Sequence, residues 1–133
     1  MAIKSENGDV EGRIKIATVS APDIDATYKC YRDHFSYKII EESNVSEEQA
    51  AAWGTPKMLG RRQIIAGPES GAEVYIRLVQ NDDVPEYEYL KTYGWNAIEI
   101  TVKDADLLHE KLKDSPFEII GKPTEFDFSD AIY

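Results

Sequence analysis

Residues 94–106 read GWNAIEITVKDAD, and residues 14–25 read IKIATVSAPDID. Each alternates apolar and polar positions up to a Thr-Val pair, crosses a short break and arrives at Asp-x-Asp. Alternation at period two marks a half-buried strand, and an Asp ahead of an apolar-periodic stretch can accept an orphan amide proton of a helix's first turn. Each stretch therefore predicts a strand followed by a helix, and the pair predicts a duplicated unit.

The likeness continues outward. ATVSAPDIDATYKCYRDHFSYKII (17–40) and ITVKDADLLHEKLKDSPFEII (100–120) keep the same order through the helix to an aromatic-x-Ile-Ile strand. Val19 answers Val102 and Tyr37 answers Phe117, a period of about 80 residues and too long for a solenoid repeat. Two such modules pair because neither buries a sheet face alone.

The expected elements of the first half are a strand over 13–20, a helix opened by Pro22 and Asp23, and a strand over 37–43. Ile24, Tyr28, Tyr31 and Phe35 recur at offsets that put them on one buried helix stripe. Ser46 with Gln49 writes a capping box, Gly54 suits a helix exit, and Pro56 prevents continuation. Strands over 62–67 and 72–80 flank PESG and form a hairpin. In the second half a strand over 96–103 precedes a helix capped by Asp104, with Ala105, Leu108 and Leu112 on one side, and a strand over 117–123 follows. The organisation is thus a flexible lead (1–12), a βαβββ module (13–80), an acidic linker (81–93) and a second, incomplete βαβ module (94–133).

Composition narrows the partners. Twenty-five acidic against fifteen basic side chains give a formal charge of −10, which repels nucleic acid and anionic membranes. No apolar run reaches the roughly 20 residues of a membrane span, and the polar start lacks a signal peptide's apolar centre, so a cytoplasmic location is expected. Cys30, the single cysteine, is read as a packing thiol. The acidic stretches 41–48 and 81–89 read as solvated loops, because neither has the layout of a calcium loop. His34 reads as a structural residue at a helix end, and His109 carries no role.

The duplicated plan, with YRDHFSYKI after the first helix and AIEITVKDAD in the second module, resembles the vicinal oxygen chelate superfamily of glyoxalase I, bleomycin resistance proteins and extradiol dioxygenases. The resemblance covers residues 13–128. It implies an α+β fold of paired βαβββ modules forming a half-barrel around a small-molecule cavity, here with the second module truncated: two further strands would follow Tyr133 in the family plan. It also implies, in metal-bearing members, His, Gln or Glu ligands on the first and fourth strands of each module. At those positions this chain has Ile14 or Ile16, Arg77, and Ala97 beside Asn96, none of them a good cation ligand. No metal or other cofactor is therefore expected, a divalent metal being the alternative.

Within that plan, alternation from Ala97 brings Glu99 and Thr101 to the cavity, Ile16 and Thr18 are their counterparts, and Tyr75 and Arg77 line it from the fourth strand. Glu99 and Arg77 either pair with each other, hold a polar ligand, or serve as plain ion partners at a wetter rim. As a functional pair, Glu99 would be a base and Arg77 would steady an enolate or carboxylate. Trp53 is either an apolar lid or core, and Trp95 either pocket wall or part of a packed module junction. The expected function is binding of a small organic molecule, with Arg77, Tyr75, Thr18, Thr101, Trp53 and Trp95 as ligand-binding residues and Glu99 as candidate catalytic base. The alternatives are a metal-dependent lyase, isomerase or ring-opening dioxygenase, and a non-catalytic dimerisation module. A homodimer is the expected assembly.

Overall fold

Asp23 and Ser46 do at two helix starts what their chemistry allows. The Asp23 carboxylate accepts from the Ala26 amide and opens helix α1 (Ile24–Phe35); Ser46 and Gln49 form a complete capping box on α2 (Glu47–Ala52). In this computed structural model, residues 3–4, 10–11, 14–88, 90–91 and 93–125 are described. The chain divides into two compact units, residues 1–97 and 98–133.

The first unit holds a short antiparallel pair, β1 (Ile3–Lys4) with β2 (Val10–Glu11), and an open four-stranded sheet. The lead expected to be loose therefore contains a strand pairing. The sheet's strands are β3 (Ile16–Ala21), β4 (Tyr37–Asn44), β5 (Arg62–Pro68) and β6 (Tyr75–Gln80), in the order β3-β6-β5-β4. β5 and β6 form the expected antiparallel hairpin, with Gly71 at φ 79° in its loop. β4 joins β5 antiparallel and β3 joins β6 parallel, so the hairpin is central and the two earlier strands are its edges. The first strand starts at Ile16 rather than residue 13, which leaves Ile14 exposed.

The two sheet faces differ. One carries Ile64, Ala66, Ile76 and Leu78, all buried, and α1 lies across it with Ile24 fully buried. Burying such a side chain stabilises the fold by about 1.5–3 kcal/mol. Tyr31 extends this layer, its ring 5.7 Å from both Phe35 and Tyr37. The opposite face is closed only at one end, where Val45, Ala50 and Val79 form a small buried cluster with Trp53 and Met58 against it. A 3-10 turn at Pro56–Met58 completes that end.

The second unit contains α3 (Ala105–Leu112), capped by Asp104 accepting from the Leu107 amide as its sequence requires. The strands expected over 96–103 and 117–123 do not form among the described residues. The first unit supplies the physical reason. Its two corresponding segments, β3 and β4, never pair with each other; each is held by the β5–β6 hairpin between them. Residues 98–125 contain no hairpin equivalent, and a strand without a neighbour has no ladder to join. Among the described residues no helix is long and apolar enough to cross a membrane.

Candidate functional site

The open face of the first unit gathers most of the residues singled out from the sequence. Ladder pairing runs Glu41–Ile65–Arg77–Thr18 across all four strands, so these four side chains form one row. The neighbouring row is Ser43–Gln63–Val79–Ser20. A β-bulge between Ile39 and Glu41 sets this arrangement. It inserts Ile40 and turns Glu41 onto the open face, where Ser43 donates to its Oε1 at 2.8 Å.

Tyr75 lies over Gly67. A Cβ at residue 67 would stand 3.0 Å from Tyr75 Cδ1, tighter than most Cβ contacts, so glycine gives the ring room to settle there. Ile40 borders the same spot, at 3.4 Å from that Cβ position. The result is a flat apolar floor beside the Arg77 row.

Trp53 is fixed by α2. The Gln49 Oε1 that accepts from the Ser46 amide also accepts from Gln63 Nε2 at 3.0 Å, and Gln63 donates further to Ser43 at 3.1 Å. Gln63, at 3% exposure the one buried polar residue among the described residues, thereby ties α2 to the sheet and satisfies its own amide. Gly54, at φ 66°, then releases the chain from the helix directly after Trp53.

Above that ring sits Arg77, its Cζ 5.3 Å from the Trp53 centroid. The other described arginines all hold carboxylates: Arg32 holds Asp33, Arg61 grips Asp82 through both nitrogens, and Arg62 grips Asp25 the same way while also reaching Glu42. These contacts hold the Asp25 and Asp82 carboxyls below their ordinary range, chiefly by hydrogen bonding to arginine, and Asp33 at about 2. Arg77 has no such partner, and its Nε is buried without an acceptor among the described residues. Attraction to the indole contributes about 0.5–2 kcal/mol, whereas a buried donor without an acceptor costs about 1–3 kcal/mol. The ring steadies the guanidinium but does not satisfy it.

Other sequence candidates are not members of this row. Trp95 is 95% exposed and Tyr93 fully so, and neither forms a wall. Glu99 and Thr101 belong to the second unit and are both exposed. Without a ladder over 96–103, the alternation that was to aim them into a cavity has no basis. Glu41 escaped the sequence reading, which took 41–48 as solvated loop; the i, i+2 spacing of Glu41 and Ser43 was available, but the bulge that sets their face was not.

The residues at the positions where metal-bearing relatives coordinate do not fit a metal. Ile16 pairs with Tyr75 at one place, and a guanidinium stands at the other. Among the described residues no three His, Cys, Asp or Glu side chains gather as a ligand set.

Comparison with known proteins matches this architecture. The family model described as Glyoxalase/Bleomycin resistance protein/Dioxygenase superfamily matches residues 13–133. A glyoxalase family protein from Bacillus cereus superposes with TM-score 0.62 at 15% identity, covering 92% of this chain and 85% of its own. The crystal structure of UcmS2 gives TM-score 0.54 at 15% identity, covering 89% of this chain and 85% of its own. A search of curated protein sequences finds no match. At these identities the structural likeness shows the fold, and the family model carries the assignment: the chain belongs to the glyoxalase/bleomycin resistance protein/dioxygenase superfamily.

Proposed function

We propose that this superfamily member binds a small organic molecule on the open face of the first unit's sheet, with Arg77 as its polar anchor and Tyr75 and Trp53 as apolar contacts. One observation carries the reading. In a chain with a formal charge of −10, a half-buried arginine is left without a carboxylate and with a buried, unsatisfied Nε. Where acidic side chains are abundant, a guanidinium kept free is available to an external acceptor. Thr18, next to Arg77 in the row, adds a hydroxyl that donates or accepts.

The ligand is held here without the usual metal, a reading supported by the isoleucine and arginine at the ligand positions. Proton transfer by Glu99 draws no support from the geometry, since no ladder orients its side chain. The proposal keeps a second copy of the chain as partner and a cytoplasmic location; the net charge supports excluding nucleic acid and anionic membranes.

A thermal-shift screen against a broad library of small organic compounds tests the reading. At least one compound is expected to raise the Tm of the full chain, and Arg77→Ala is expected to abolish that rise. A hit that stabilises the Arg77→Ala variant equally moves the site elsewhere, and a library without any hit ends the binding proposal.

A further inference from the structure

The row Glu41–Ile65–Arg77–Thr18 does more than mark a site, because its order prescribes what fits. Along it stand an acceptor, an apolar step, a cation and a hydroxyl. Three features of Arg77 limit the group it receives. Trp53 lies on one side of the guanidinium, so a ligand approaches it from the remaining sides. Nε is buried, so an external acceptor meets the Nη groups, and one that bridges the two Nη–H donors takes the end-on fork. Two oxygens on one planar centre match that fork, as in a carboxylate. Resting on the binding function proposed above, we infer that the ligand is a small planar carboxylic acid with a hydrogen-bond donor at its far end. The carboxylate lies end-on against Arg77, the flat body crosses Ile65 beside the Tyr75 floor, and the donor meets Glu41.

Spacing and charge both agree. Glu41 and Arg77 are two strands apart, about 10 Å between backbones, which accommodates one aromatic ring with a substituent at each end. Glu41 accepts from the Ser43 hydroxyl at one oxygen, Oε1, and among the described residues Oε2 is left to a ligand hydroxyl or amine. A ligand with a second anion in place of that donor would meet the Glu41 carboxylate and be rejected, so the row discriminates between monoacids and diacids.

Titrations of the full chain with benzoate, 4-hydroxybenzoate, terephthalate and benzamide, followed by calorimetry and by the Trp53 indole and Arg77 Nε–H resonances, test the inference. Benzoate is expected to shift both resonances, and neutral benzamide to bind at least about tenfold more weakly. 4-Hydroxybenzoate is expected to bind about threefold to tenfold tighter than benzoate, an advantage that Glu41→Ala removes. Terephthalate is expected to bind more weakly than 4-hydroxybenzoate. Arg77→Lys keeps the charge but loses the fork, and should weaken benzoate by about tenfold. Benzamide binding as well as benzoate, or an Arg77→Lys variant of unchanged affinity, overturns the carboxylate class. No advantage for 4-hydroxybenzoate over benzoate overturns the role of Glu41. If these probes fail while other library compounds still shift the Trp53 and Arg77 resonances, the class is wrong and the binding function stands. If nothing shifts them, both fall.

Discussion

The two units begin with the same local text and end differently. Residues 14–40 become strand, capped helix and strand, whereas residues 97–120 yield the capped helix alone. A helix satisfies its backbone within its own segment, so Asp104 and the α3 pattern suffice wherever they occur. A strand satisfies its backbone only through a neighbour, and β3 and β4 find theirs in a hairpin contributed by residues 62–80. The lesson is that period two states a capacity to pair, and the pairing partner decides whether it is realised.

Substitution in matched positions gives the sharpest break. Ile64→Ala removes a fully buried side chain beneath α1 and should cost about 2–5 kcal/mol in denaturant unfolding. Ile98→Ala, at a residue 37% exposed, should cost less than about 1 kcal/mol. Amide hydrogen exchange should separate the regions in the same sense, with β5 and β6 protected and residues 96–103 exchanging early. Equal cost and equal protection would mean that the second unit also carries a ladder.

Smaller effects follow from polar contacts. Gln63→Leu leaves the Gln49 and Ser43 side chains short of a partner, and should cost about 1–3 kcal/mol by the same unfolding measurement. Asp23→Ala and Asp104→Ala each delete a helix cap worth about 1 kcal/mol. The first should lower the main unfolding midpoint, because α1 covers the sheet; the second should appear as lost helical circular dichroism with that midpoint unchanged.

Acid response is the smallest contrast. Hydrogen bonding from Arg62 lowers the Asp25 carboxyl from its ordinary 3.8, so the folded chain binds this proton less readily than the unfolded chain. Its stabilising effect is present above the ordinary value and fades as pH falls through the lowered one. Because the pair is exposed, a slight fall in Tm is expected as pH drops below about 4, and Arg62→Met should lessen it, Asp33 and Asp82 keeping their own arginines. Glu110 beside Lys113 has the same sign, but acts inside α3 and should alter only helix content.

Much of the first unit was legible because its signals are local. Asp23, the Ser46–Gln49 box, the PESG hairpin and the stripe from Ile24 each act within a few residues. Parallel pairing of β3 with β6 was not legible, since nothing in either strand's own pattern names a neighbour so far away in the chain. The site was half legible. Alternation placed Tyr75 and Arg77 on one face and the repeat added Thr18, but Glu99 was paired with Arg77 on the assumption that the second strand forms. Glu41 stayed hidden behind a bulge that shifts side-chain parity without changing any residue type.

The central position of β5 and β6 also orders events on the ribosome. β4 can close against β5 once residue 68 has emerged, yet β3 must wait for β6, about 60 residues after it was made. The first strand of the four-stranded sheet to leave the tunnel is thus the last to dock, and α1 spends that interval tethered to an unsealed edge.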